Sequence, residues 1–208
     1  TQIAIWGVLI CGLGATVLPA LMPDDMMQTV EAVQAGQMTA LEAEYGIEPG
    51  KVKILALLET AMGIENAYPI ACASKRLVGL FLGAEDLSAD LRCPRTKGGE
   101  EIRYARGKIV SSARAAGIEV YDTPFTDVND DEGIVADASY AKSLGFTGKA
   151  SISPRHITAI NTVFSPTKAE IAYAYEVLEA IELAKAQGKG AIALRGKMID
   201  APIVNRAK

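Results

Sequence analysis

Short apolar segments alternate with helical patterns along most of this 208-residue chain, and this alternation restricts the possible folds more than any other feature. Strands covered on both faces appear in a sequence as nearly continuous apolar runs, and strands that alternate with helices form parallel sheets. The chain is therefore predicted to have a parallel α/β architecture. The predicted strands are Ala15–Leu18, Val52–Leu58, Leu77–Leu82, Ile118–Tyr121 and Lys149–Ile152.

Helical patterns occupy the segments between these strands. Gly117 and Gly145 directly follow two of them, and glycine often ends a helix because it readily adopts a positive φ. Pro166 lies at an early position of the last helix, where a missing N–H is tolerated. The predicted helices run from Pro23 to about Tyr45, over Ile64–Ser74, Gly99–Ala116 and Asp130–Leu144, and from Ser165 to about Gln187.

The N-terminal segment Ile3–Met22 carries no charged residue and is nearly as long as a membrane-spanning helix. Three glycines interrupt it, and Pro19 would break a helix near its end. No Lys or Arg precedes the segment, so it lacks the basic region of a signal peptide. We therefore expect a buried part of the α/β core and no membrane association, with a membrane anchor as the alternative.

Composition excludes several classes of function. Lys and Arg total 21 against 25 Asp and Glu, which gives a net charge of -4 without any basic block, so nucleic acid is not an expected partner. Three widely separated cysteines exclude a disulfide framework and fit a reducing cytoplasm. The single histidine, His156, excludes a histidine-rich zinc site within one chain. A metal would therefore be held mainly by oxygen ligands, which favours Mg²⁺ or Mn²⁺.

Acidic side chains follow two neighbouring predicted strands. Glu59 comes directly after one strand, and Gly83, Ala84, Glu85 and Asp86 follow the next. Carboxylates at two adjacent strand ends can bind one hard cation, which can chelate a 2-oxo or 2-hydroxy acid. A glycine there allows close backbone approach, and the amides of the following helix could hold a substrate carboxylate. The alternative is that these acids only cap helices, and only one of the adjacent pair need point inward.

Three further polar residues are weaker candidates. Asp122 also follows a predicted strand, but a capping or turn role is at least as well supported as catalysis. His156 falls in the first turn of a helix, where a packed or surface histidine is expected. Asp200 lies near the C-terminus, and its spacing alone predicts only a solvated side chain.

Six motifs, in order along almost the whole chain, resemble the citrate lyase β-subunit-like branch of the HpcH/HpaI aldolase superfamily. As a set they are far more specific than any one of them. They are LLETAMGIENA (Leu57–Ala67), GAEDLSADL (Gly83–Leu91), YAR (Tyr104–Arg106), AAGIEVYDTPFTDVNDDEG (Ala115–Gly133), GFTGKASISP (Gly145–Pro154) and GKMID (Gly196–Asp200).

This resemblance implies a (β/α)₈ TIM barrel and a Mg²⁺-dependent carbon–carbon lyase. Such an enzyme cleaves a citryl, citramalyl or malyl thioester, carried on CoA or an acyl carrier protein, to an oxo acid and an acyl thioester. By motif, Glu59 and Asp86 would be the Mg²⁺ ligands, and the backbone from Gly83 to Asp86 would hold the oxo-acid carboxylate. Asp200 would act as acid or base at a neighbouring subunit's site, in a homotrimer or a multiple of it.

The chain also departs from the family pattern. The five predicted strands resemble the fourth to eighth of the barrel, so the first three strands, an acidic segment and a substrate-binding arginine are lacking. Residues 1–164 would form this barrel part, and residues 165–208 a C-terminal helical extension that packs on a neighbouring subunit. Ala20 replaces a usual lysine, and Ser153 replaces a usual histidine. The unpaired strand edges of such a partial barrel favour an incomplete sequence. The alternatives are a non-catalytic relative and a metal-dependent aldolase of 4-hydroxy-2-oxo acids.

Overall fold

The computed structural model describes residues 38–187, 192–199 and 203–204. The predictions for Ile3–Met22, the strand Ala15–Leu18 and Asp200 therefore lie outside the described residues, as does most of the helix predicted from Pro23. The chain divides into two units, Thr1–Phe164 and Ser165–Lys208, which are described separately below.

The described part of the first unit is built on a four-stranded parallel sheet. Its strands lie in the order β1-β2-β3-β4, so each strand pairs with its neighbour in the sequence. A doubly wound sheet reverses its order at a switch point, whereas a barrel keeps consecutive strands adjacent. The prediction of a parallel α/β fold is confirmed, and a barrel shares this sequential strand order. The strands are β1 (Ile54–Leu58), β2 (Leu77–Leu82), β3 (Glu119–Asp122) and β4 (Gly148–Lys149).

Helices connect the strands and continue after the last one. Short 3₁₀ turns at Glu100–Ile102 and Pro154–His156 lead into α5 and α7. Gly117 and Gly145 end α5 and α6 with φ values of 73° and 102°, as their positions predict. The helices are α1 (residues 38–44), α2 (Ala61–Glu65), α3 (Ala67–Cys72), α4 (Ala84–Asp90), α5 (Arg103–Ala116), α6 (Asp131–Leu144), α7 (Ile157–Phe164) and α8 (Lys168–Ala186).

Three differences between the predicted and the observed elements have a clear physical reason. The helix predicted over Ile64–Ser74 is two helices, because Pro69 has no N–H to donate to the carbonyl of Glu65. The strand predicted at Lys149–Ile152 is only Gly148–Lys149, since β3, which it pairs with, ends at Asp122. The last helix begins after Thr167, which forms a capping box with Glu170, so Pro166 precedes the helix.

The core of the first unit lies between the sheet and its helices. Leu58 of β1, Leu80 and Leu82 of β2, and Val120 of β3 pack in one cluster with the buried face of α5. Side chains alternate between the two faces of a strand, so the residues between these point to the other side. On that side Leu57, Phe81 and Tyr121 are only half-buried. The helix-covered face therefore supplies most of the apolar burial, at about 1.5–3 kcal/mol for each fully buried large side chain.

The second unit pairs α8 with an antiparallel hairpin, β5 (Ile192–Leu194) and β6 (Lys197–Ile199). The hairpin turns at Arg195 and Gly196, whose φ values of 50° and 75° are both positive. The predicted helical extension therefore also contains strands. No helix in the described ranges is long and apolar enough to cross a membrane. The cluster holding this unit together contains Val177, Ile181, Ala184, Ile199 and Val204.

Candidate active site

The carboxyl ends of β1 and β2 bring the predicted acidic residues to one edge of the sheet. Leu58 and Leu82 are partners in the parallel ladder, and the Gly83 N–H donates to the Leu58 carbonyl at 2.9 Å. Glu59 is the next residue after β1, and α4 begins immediately after Gly83. Asp86 therefore lies in the first turn of α4, beside Glu59.

Gly83 is required by the close approach of Glu59. A Cβ atom at position 83 would lie 2.7 Å from the Glu59 Cβ and 3.1 Å from its Oε2. The φ of Gly83 is -96°, which any residue adopts, so the requirement is space and not backbone handedness. The side chain that lies close to this glycine is that of Glu59, and close approach of the backbone to a bound substrate stays a prediction.

Asp86 lies close enough to Glu59 to act on its carboxyl group by charge and by hydrogen bonding. Burial raises the pKa of Glu59 above its usual value, and the nearby charge of Asp86 raises it further. Two neighbouring carboxylates repel each other, and their oxygens are ligands that a hard divalent cation prefers. Glu59 and Asp86 therefore fit Mg²⁺. Within the described residues, no third Asp, Glu, His or Cys joins them in a group able to hold a metal.

Glu85 points away from this pair. Its carboxylate lies 3.4 Å from Nε of Arg95, whose guanidinium also donates to Glu101 at 2.6 Å. Burial alone would raise the pKa of Glu101, but hydrogen bonds from Thr96 and Arg95 outweigh it and lower that pKa to about 2. Of the two adjacent acids, Asp86 therefore faces Glu59, and Glu85 contacts the loop that precedes α5.

A buried cluster of charges lies beside this edge, between the sheet and its helices. Arg106 of α5 donates to both carboxylate oxygens of Asp122, at 2.9 and 2.8 Å, and to Asp137 of α6 at 2.8 Å. Lys149 of β4 contacts Asp122 at 2.7 Å and Asp137 at 2.5 Å. Asp122, which the sequence placed at a strand end or turn, is thus part of an internal ion network.

The charges in this buried cluster compensate each other. Burial would lower the pKa of Arg106, but Asp122 and Asp137 outweigh that effect and raise it. Burial would likewise raise the pKa of Asp137, but Lys149 and Arg106 lower it. The candidate residues predicted from the sequence did not include Arg106, Asp137 or Lys149 individually. Arg106 carried a signal, because it occupies the same helical face as the apolar Ile102, Ile109 and Ala113.

His156 is packed and not exposed. Its side chain is buried against Phe125, with ring centroids 6.1 Å apart, and neither ring nitrogen has a hydrogen-bond partner in the described structure. This histidine therefore packs against Phe125, which forms a small apolar cluster with Ile134 and Ile160. Asp200, the predicted acid or base, is outside the described residues.

The described residues form an α/β protein in which two adjacent parallel strands, β1 and β2, are followed by a pair of acidic side chains. A family model described as HpcH/HpaI aldolase/citrate lyase matches residues 4–154 of the chain. This match covers most of the chain, so the protein belongs to that family, and the resemblance seen in the motifs is confirmed.

Known relatives agree with this membership. Citrate lyase subunit beta of Leuconostoc mesenteroides subsp. cremoris is 41% identical over 197 residues, which cover 95% of this chain and 64% of the relative. L-malyl-CoA/beta-methylmalyl-CoA lyase of Rhodobacter capsulatus is 35% identical over 188 residues, covering 82% of this chain and 59% of the relative. The chain thus spans about three fifths of the length of these curated relatives.

A solved structure shows the same fold. The Mycobacterium tuberculosis protein CitE, in complex with magnesium, acetoacetate and coenzyme A, aligns with a TM-score of 0.64 and 30% sequence identity. The alignment covers 82% of this chain and 70% of that protein.

Proposed function

We propose that this chain belongs to a Mg²⁺-dependent carbon–carbon lyase that cleaves a hydroxyacyl thioester of the citryl, citramalyl or malyl type. The products would be an oxo acid and an acyl thioester, on CoA or an acyl carrier protein. The observation that carries the proposal is the position of Glu59 directly after β1 and of Asp86 in the first turn of α4, at the paired ends of two adjacent strands. The names of the relatives, which include citrate lyase and malyl-CoA lyase, support the reaction class.

When bound, Mg²⁺ would stabilise negative charge on the substrate oxygens and orient the hydroxy acid. Glu59 and Asp86 would hold the ion, and Gly83 leaves the space that their approach needs. The backbone from Gly83 to Asp86 would face the carboxylate of the oxo acid. In the overall reaction the hydroxyl loses its proton and becomes the carbonyl group of the oxo acid as the carbon–carbon bond breaks, and the α-carbon of the released acyl thioester gains a proton.

Asp200 is proposed as the acid or base for these proton transfers, on the basis of the motif GKMID. It would act in the site of a neighbouring subunit, in a homotrimer or a multiple of it, with residues 165–208 packing on that subunit. A cytoplasmic location is proposed from the separated cysteines, of which Cys72 and Cys93 are unbonded.

Metal and substrate binding test the proposal first. Calorimetry of the purified chain with Mg²⁺ and an oxo acid, pyruvate or oxaloacetate, should show binding of the oxo acid only when Mg²⁺ is present. Citramalyl-, malyl- and citryl-CoA are then supplied while free oxo acid is followed. A chain that binds Mg²⁺ and the oxo acid but cleaves none of the three thioesters would be a non-catalytic relative, and the proposal would be wrong.

Asp86→Asn should weaken Mg²⁺ binding at least about tenfold, because an amide oxygen replaces a charged ligand. Asp131→Asn is the matched control, since Asp131 is also an exposed acid in the first turn of a helix of this unit. Equal Mg²⁺ affinity in the two variants would remove Asp86 from the metal site.

Asp200→Asn should instead slow cleavage while leaving Mg²⁺ affinity unchanged. If Asp200 acts on a neighbouring subunit, then inactive Asp86→Asn and Asp200→Asn chains should recover part of the activity when they are refolded together. Activity that stays lost in the mixture, with mixed oligomers demonstrated by mass spectrometry, would place Asp200 in its own subunit's site.

A further inference from the structure

The helix that carries Asp86 lacks the side-chain cap that α2, α6 and α8 have at their first turns. The first N–H groups of a helix lack partners within it and usually bond to the side chain of the N-cap residue. In α2, α6 and α8 the N-cap side chains of Thr60, Asp130 and Thr167 accept such bonds. The N-cap of α4 is Gly83, which has no side chain and makes no such bond.

The site itself excludes an ordinary cap at this position. A side chain at position 83 would collide with Glu59, because even a Cβ there would lie 2.7 Å from the Glu59 Cβ. The acceptor comes from another strand instead. The Ala84 N–H donates to Oγ1 of Thr123, the residue directly after β3, at 3.3 Å, and both residues are buried.

Thr123 is in turn held by the buried ion cluster. Nζ of Lys149 donates to the Thr123 carbonyl oxygen at 2.7 Å and to the Asp122 carboxylate at 2.7 Å. Asp122 also receives the two hydrogen bonds from Arg106. A continuous series of contacts therefore links the cluster to the first peptide of α4, two residues before Asp86.

We infer that Thr123 is a positioning residue, whose hydroxyl anchors the start of α4 and so places Asp86 opposite Glu59. The buried cluster acts through Thr123, by fixing the backbone that carries this hydroxyl. The part of the inference that concerns metal affinity rests on the proposed function. The part that concerns the α4 backbone depends only on the contacts within this chain.

Thr123→Val tests the inference because it keeps the shape of the side chain and removes its oxygen. The Ala84 N–H then becomes buried without an acceptor, so its amide hydrogen exchange in the full chain, followed by NMR, should accelerate at least about threefold. The dissociation constant for Mg²⁺, measured by calorimetry on the same chain, should rise at least about threefold. Thr123→Ser restores the oxygen and should return both quantities toward their original values.

Thr147→Val is the matched control. Oγ1 of Thr147 accepts from the Val120 N–H at 3.1 Å and donates to the Val120 carbonyl at 2.8 Å. Because Thr147 precedes β4, this variant removes a threonine oxygen from the opposite edge of the same sheet. Its stability should fall, but exchange at Ala84 and Mg²⁺ affinity should not change.

The outcomes separate this inference from the proposed function. Unchanged Ala84 exchange in Thr123→Val, or equal effects on Ala84 in Thr147→Val, would overturn the anchoring role. Faster exchange with unchanged Mg²⁺ affinity would overturn the link from the anchor to the metal site. If the unsubstituted chain binds no Mg²⁺, the proposed function fails together with that link, while the exchange data still decide whether Thr123 anchors α4.

Discussion

Two groups of charges lie near the same edge of the sheet, and they are built in opposite ways. In the buried cluster, two cations, Arg106 and Lys149, form ion pairs with two aspartates, Asp122 and Asp137. The nitrogen–oxygen distances are 2.5–2.9 Å. In the acidic pair, in contrast, Glu59 lies beside a second carboxylate, Asp86, whose charge raises the pKa of Glu59.

This difference separates structural charge from charge that is available for binding. Buried ions are tolerated when they are paired, and removal of one partner leaves an uncompensated charge. Two carboxylates in contact repel each other, and a bound divalent cation relieves that repulsion. The compensated cluster should therefore control stability, and the uncompensated pair should control ligand binding. The following substitutions test that division.

Asp122→Asn should have the largest effect on stability. It leaves Arg106 and Lys149 buried with only one aspartate, and loss of one partner of a buried pair costs about 3–5 kcal/mol of unfolding free energy. Glu182→Gln is the control, because the Glu182–Lys185 pair is exposed and its loss should cost less than about 0.5 kcal/mol. Chemical denaturation measures both. Similar losses in the two variants would mean that the buried cluster does not stabilise the fold.

Gly83→Ala should have the next largest effect and should act on both properties. The new Cβ displaces Glu59, with a cost of about 1–3 kcal/mol in stability for overpacking. Because Glu59 moves, Mg²⁺ affinity should also fall about tenfold or more. Gly107→Ala is the control, since nothing lies within 4 Å of a Cβ there. That substitution should stabilise α5 by about 0.5–1 kcal/mol. A Gly83→Ala chain with normal stability and Mg²⁺ affinity would contradict the steric argument.

Glu59→Gln should raise stability while it removes Mg²⁺ binding. The substitution ends the repulsion with Asp86 and the burial of a charge, so unfolding at neutral pH should require roughly 0.2–1 kcal/mol more. Glu48 is exposed, so Glu48→Gln is the control and should leave both quantities unchanged. Denaturation and calorimetry on the same samples are sufficient. A stability loss in Glu59→Gln would show that the pair is compensated by a group of the chain.

A pH series extends the comparison to a third carboxylate. Hydrogen bonds from Arg76 and from the N–H groups of Gly50 and Val52 lower the pKa of Glu42 to about 2. A lowered pKa stabilises the fold above the unfolded value of 4.5, and this contribution is lost as the pH falls toward 2. The difference in unfolding free energy between the original chain and Glu42→Gln should therefore shrink below pH 4.5. A constant difference would contradict the lowered pKa.

The sequence predicted the elements whose signals are local. Leu77–Leu82 is a strand with the predicted bounds, and Gly117 and Gly145 end their helices as expected. The predicted bounds were wrong where a proline removed a backbone N–H or where the neighbouring strand ended. Pro69 divided one predicted helix in two, and the end of β3 shortened the strand predicted at Lys149.

The candidate site was predictable in part, for a similar reason. Glu59 and Asp86 follow adjacent parallel strands, so their convergence followed from the order of the elements. The direction of Glu85 depends on Arg95, a residue of a later loop, which no pattern around residue 85 could indicate. The buried cluster joins β3, β4, α5 and α6, and its members are too far apart in the sequence for spacing to connect them.

The sequence by itself determined the alternation of strands and helices, the family, and the acidic residues at the strand ends. These follow from local periodicity and from motifs that stay contiguous along the chain. Only the tertiary structure decided which charges are compensated and that Thr123 caps the helix of Asp86. The physical reason is that charge compensation and capping across strands depend on distances between residues that the fold alone brings together.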